Sequence, residues 1–133
     1  ARDAQFIDGI DRVFKMSGRY LLNDVFDLGF YDTDAVRDKI VIGKRVPSQF
    51  PYNVTMLSEQ YMARLLSWPT SRHNDMIGYY NIARDYMRSR MRVGGYADIE
   101  HCLFYALPKE YVLEVDQVGV HGTIAPNGQP IIN

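Results

Sequence analysis

Three groups of residues in this 133-residue sequence have types and spacing suited to chemistry. Lys15 and Arg19 flank Gly18 at the end of a β-prone stretch. Two cations there can hold a diphosphate, because glycine lets a ligand approach the backbone and open α/β sheets gather ligands at the carboxyl ends of their strands. A lysine and an arginine on a solvated strand edge have the same spacing, so both readings stay open. Glu100 and His101 open a helix pattern. A carboxylate at a helix N-terminus is kept ionised by the dipole and can take a proton from a hydroxyl; it can equally be a stabilising first-turn residue. Asp32-Thr33-Asp34 offers hard oxygens that suit Mg²⁺ or Mn²⁺. Asn23, Asp24, Asp27 and Asp38 crowd the same stretch, which also fits a solvated acidic loop. His121 lies between Gly119 and Gly122, where close ligand approach is allowed, yet a lone histidine in a β segment is commonly structural.

The elements that must position these groups follow from periodicity. Residues 4–11 carry Phe6, Ile7 and Ile10 at helical spacing, with Gly9 as a stop. Residues 12–17 alternate and predict a strand, with Gly18 allowing a bend. Residues 23–38 read as a loop with Phe26, Phe30 and Tyr31 embedded. Strands are predicted over 39–46, ended by Pro47, and over 52–57 and 60–67. The clearest helix runs over 71–92, with Met76, Tyr80, Ala83, Met87 and Met91 in one apolar stripe and Gly94-Gly95 ending it. Asp98 caps a second helix through Leu107, and Pro108 stops it. Residues 111–124 are β-rich, and Pro126-Asn127-Gly128 signals a turn. The expectation is one α/β domain with a small mixed sheet flanked by helices.

Composition narrows the function classes. Lys plus Arg number 15 against 16 Asp plus Glu, a net charge of −1, which argues against a dedicated nucleic-acid module. Hydrophobic residues make up 47%, enough for a packed core. The single cysteine, Cys102, excludes an internal disulfide framework and predicts a buried thiol in a reducing, cytoplasmic compartment. No apolar run is long enough to span a bilayer. Arg84, Arg88, Arg90 and Arg92 cluster where cations complement the helix C-terminus. Asn53-Val54-Thr55 matches a glycosylation acceptor triplet. Arg64 and Trp68 flank the last sheet strand, and either can line a groove or, for Trp68, join the core.

Three landmarks carry a resemblance. They are Lys15-Met16-Ser17-Gly18-Arg19-Tyr20, Asp98-Ile99-Glu100-His101-Cys102-Leu103-Phe104, and Val118-Gly119-Val120-His121-Gly122-Thr123-Ile124-Ala125-Pro126-Asn127-Gly128. In this order they resemble a group of GT-A-like glycosyltransferases from viruses and bacterial polysaccharide loci, which usually have Glu where this chain has His121. The resemblance implies transfer of a sugar from a nucleotide-diphosphate donor to a hydroxyl, such as that of a glycan. Lys15, Gly18, Arg19 and Tyr20 would meet the donor, and Glu100 would be the base. His101 and His121 would be acceptor-side or structural; Asp32 and Asp34 lie outside the three landmarks and would hold Mg or Mn in the manner of the Asp-x-Asp that GT-A enzymes often use. It also implies that the group's first strands would precede Ala1, so the chain is expected to be the C-terminal part of a longer protein, with exposed sheet edges prone to self-association. The rival expectation is a non-catalytic binding or structural module, with Tyr79, Tyr80 and Tyr86 forming a partner surface.

Overall fold

A computed structural model describes residues 11–16, 20–124 and 129–132, with the side chains of Tyr20 and of residues 121–132 outside that description. The architecture is mixed α/β. The strands are β1 (Arg12–Met16), β2 (Tyr20–Leu22), β3 (Ile40–Pro47), β4 (Glu59–Pro69), β5 (Val112–Val115), β6 (Val120–Ile124) and β7 (Gln129–Ile132). The helices are α1 (Tyr52–Thr55), α2 (His73–Arg92) and α3 (Ile99–Ala106). One sheet has the order β1-β4-β3-β5 and the other β2-β6-β7. Only the β3–β5 pair is parallel; every other described pair is antiparallel.

The central strands are apolar because both of their faces are covered. Ile40 and Ile42 of β3 and Leu66 and Trp68 of β4 pack beneath Met76 of α2 and Leu103 of α3. The next residues in register point the other way. Val41 joins Tyr31 and Val36, and Leu65 joins Val118 and Val120. The segment between β2 and β3 is therefore more than a solvated loop. Asp27 caps a 3-10 helix, Leu28–Asp32, its Oδ1 accepting from the Gly29 N–H at 3.0 Å. Phe14, Phe26, Phe30 and Tyr31 then interlock edge to face over the sheet.

Two expectations change. Residues 52–57 contain the short helix α1 rather than a strand. Their β-branched residues favour a strand locally, but Pro51 sets the entry and Met56 leaves in the left-handed conformation at φ 60°. The α1 carbonyls are then claimed by α2, because Arg90 donates to the Asn53 and Val54 carbonyls and Tyr86 to that of Thr55. The apolar stripe of α2 also stops early. Met76 and Ala83 are buried, whereas Met91 is 62% exposed. Trp68 is in the core, its Nε1–H donating to His73 Nδ1 at 3.2 Å. The helix expected over 4–11 lies outside the described residues except for Asp11, as do Gly18, Arg19 and the turn at 126–128. Among the described residues, no helix is long and apolar enough to cross a membrane.

β4 is longer than its neighbours, and this makes room for a site. β1 pairs with β4 only from Met16↔Leu65 to Arg12↔Pro69. Beyond Leu65, toward Glu59, β4 pairs only with β3 among the described residues. The β3–β4 register shifts around Gly43, which lies so close to β4 that an added Cβ would stand 2.2 Å from the Met62 carbonyl oxygen. The close approach explains the glycine.

Candidate functional site

A cleft of about 580 Å³ lies where β1 ends over β4. Its volume is in the range of small-molecule sites. Lys15 comes from the end of β1, and Gln60 to Arg64 come from the β4 stretch that β1 leaves uncovered. Pro47 and Gln49 come from the exit of β3, Tyr80 from α2, and Ile99, Glu100 and Leu103 from the start of α3. The fold thus brings Lys15 and Glu100, taken from separate sequence landmarks, to one concavity. Arg64 joins them there.

The side chains of Lys15 and Arg64 make no ion pair or hydrogen bond to another described residue. Glu100 is half-buried, and its pKa is raised, first by desolvation and next by the nearby Asp98 charge. A carboxylate with a raised pKa is better matched to proton abstraction near neutral pH than an ordinary one. Tyr61 and Tyr80 also line the cleft, and their buried hydroxyls have no hydrogen-bond partner. Burial is the first cause that pushes both phenols up to about 12, so they remain neutral at physiological pH.

The start of α3 is held by a short network. The Asp98 Oδ1 accepts from the backbone N–H of His101 at 3.1 Å, a cap that satisfies one free helix donor. The same oxygen accepts from His101 Nδ1 at 2.6 Å. The other ring nitrogen, Nε2, is hydrogen-bonded to Ser48 Oγ at 2.7 Å. The ring is fully buried, beside Phe50. His101 is therefore structural in this arrangement and not an acceptor contact. Ser48 was not apparent from sequence, because nothing local links it to a helix so distant in the chain. The Asp98–His101 spacing is a visible cue, being that of a capping pair.

The remaining candidates separate. Asp32 and Asp34 lie outside the Lys15–Glu100 cleft, and both face Arg37, which donates to Asp34 Oδ1 at 2.9 Å and stands 3.5 Å from Asp32 Oδ1. Asp32 lines a second hollow of about 850 Å³ with Arg12 and Tyr31. A divalent ion there would compete with the Arg37 guanidinium for two exposed carboxylates. Among the described residues there is no group of three or more potential metal ligands. Arg12 is likewise engaged, donating to Ser67 Oγ at 3.0 Å and to the Lys39 carbonyl at 2.7 Å. His121 is in β6, paired with Leu21 and Ile132, and Tyr20 is in β2 opposite Gly122. Their side chains, and all of Gly18 and Arg19, lie outside the description.

Tyr79, Tyr80 and Tyr86 are half-buried rather than displayed. The first two pack against the main core, and Tyr86 stacks on Tyr105 with centroids 4.1 Å apart. These three tyrosines therefore form no displayed surface, whereas Tyr52, Tyr96 and Tyr105 are exposed. Cys102 is fully buried, and its thiol is pushed up to about 11, first by desolvation, so it is no nucleophile. No protein-family model matches this chain, and neither a curated protein nor a solved structure matches it.

Proposed function

We propose that this chain is part of a GT-A-like sugar transferase, which moves a sugar from a nucleotide diphosphate to a hydroxyl. The observation that carries the reading is the convergence of Lys15 and Glu100 on one cleft, with the lysine unpaired and the carboxylate desolvated. Lys15 and Arg64 have the charge to hold the diphosphate as it departs. Arg19, in the same motif as Lys15, would extend that cationic wall.

Glu100 is the base. Its carboxylate takes the proton of the acceptor hydroxyl as the oxygen bonds to the anomeric carbon. The bond from that carbon to the diphosphate breaks, and the nucleotide leaves with the electron pair. In an inverting enzyme this is a single in-line displacement. Substrate oxygens can also meet the amides of Gln49 and Gln60 on the cleft wall. The working location in this reading is the cytoplasm, where a single buried thiol such as Cys102 stays reduced.

The test is Glu100→Gln, which keeps the shape of the side chain and removes its basicity. Sugar transfer should fall by about 100- to 10,000-fold, while calorimetric affinity for the nucleotide sugar stays within about twofold, small against the tenfold that 1.4 kcal/mol represents. Retained turnover would remove Glu100 from the role of base.

A further inference from the structure

The hydrogen-bonded chain beside the cleft has a geometry that invites two readings. Ser48, His101 and Asp98 are spaced like a nucleophile, its base and the group that orients it, at 2.7 and 2.6 Å. The surroundings of Ser48 favour another role. Its Oγ also accepts from the Phe50 N–H at 3.1 Å, which fixes the hydroxyl in a tight turn. The Gln49 N–H, the donor that would have to stabilise an oxyanion, is already given to Gln60 Oε1 at 3.2 Å. Ser48 does not line the cleft, although its neighbours Pro47 and Gln49 do.

We propose that Ser48 is a positioning residue for Glu100, acting through His101 and Asp98 to fix the N-terminus of α3 against the exit of β3. The chain of bonds runs from Ser48 Oγ to the buried ring, from the ring to Asp98 Oδ1, and from Asp98 to the α3 backbone. Glu100 lies on that same first turn and is close enough to Asp98 for the two carboxyl groups to interact. Loss of the Ser48 anchor frees the ring at Nε2 and lets the turn shift. A displacement of about 1 Å at a reacting group costs up to a hundredfold in rate. The inference rests on Glu100 being the base.

The experiment has one arm that needs no substrate. In Ser48→Ala, ¹⁵N NMR of His101 should show a moved Nε2 resonance, and ¹³C NMR should show a shifted titration midpoint for the Glu100 carboxyl. The Glu114 carboxyl, held by Arg45 and outside the cleft, serves as the internal control. In the second arm, kcat per folded molecule should fall about tenfold with KM unchanged, and Ser48→Thr should restore it. An unchanged Glu100 midpoint in Ser48→Ala overturns the proposal, whatever the transfer assay gives. So does a rise in acceptor KM at constant kcat, or fluorophosphonate labelling that Ser48→Ala abolishes. If Glu100→Gln keeps its turnover while the NMR shifts occur, the anchor stands and Glu100 loses the role of base.

Discussion

Glu114 and Glu100 are both partly covered glutamates beside the central sheet, and their surroundings are opposite. Glu114, on β5, is clasped by Arg45 of β3. Its Oε1 accepts from the Arg45 backbone N–H at 2.7 Å, and its Oε2 accepts from Nη2 at 2.6 Å and Nε at 2.9 Å. These hydrogen bonds are the first cause that holds its pKa below the usual carboxylate range. Glu100 has no such partner. Burial and Asp98 raise its pKa instead. The cations follow the same division, since Arg45 is spent on Glu114 and Glu59 while Lys15 is unpaired. Charges that cross-link strands stabilise the fold, whereas a desolvated carboxylate sharing one concavity with unpaired cations is a mark of function.

The comparison can be broken most decisively at Glu100, where Gln should remove about two to four orders of magnitude of transfer. The matching substitution Glu114→Gln should leave transfer within about twofold, well under the tenfold of 1.4 kcal/mol. Lys15→Ala should weaken nucleotide-sugar affinity by about tenfold, as expected for one charge-assisted contact, measured by calorimetry. Unchanged affinity would take Lys15 out of the donor site. Glu114→Ala should lower the free energy of unfolding by about 1–2 kcal/mol in a urea titration, the lower part of the range for charged hydrogen bonds because Arg45 is partly exposed.

The smallest effect is the most diagnostic, because its sign reverses. Glu114 has a lowered folded pKa, so its stabilisation is present above the unfolded value and is lost as pH falls through the folded one. Glu100 has a raised folded pKa. Its contribution is present below the unfolded value and is lost as pH rises through the folded one. Above that pH, Glu100→Gln should be more stable than the wild type, because the raised folded pKa marks an ionised form that the fold disfavours. The difference should vanish in acid. Unfolding curves for Glu100→Gln and Glu114→Gln should therefore meet the wild type at low pH and depart from it in opposite directions as pH rises. Departure in the same direction would erase the distinction between the two glutamates.

Much of this arrangement is legible in the order of the residues alone. The 71–92 periodicity locates α2 to within two residues of its start, and Asp98 is readable as the cap of α3 because a cap is a contact between residues three apart. The apolar run over 39–46 locates β3. Local preference fails at 52–57, where a β-prone stretch becomes helical because α2 claims its carbonyls. Asp32-Thr33-Asp34 offers a metal-like spacing, and only folding places Arg37 between its carboxylates.

Sequence by itself determined the inventory: a near-neutral α/β chain, a capped acidic helix start, and a lysine at the end of a strand. Those follow from local rules, since capping and periodicity act over a few residues. Tertiary structure decided which charges are neutralised. Arg45 found Glu114, Arg37 found Asp32 and Asp34, and His101 found Ser48, while Lys15, Arg64 and Glu100 met in one cleft. Arg37 meets its partners within one local turn, but Arg45–Glu114 and Ser48–His101 join residues far apart in the chain, and a Coulomb interaction or a desolvation cost exists only once the fold has set the distance and the burial.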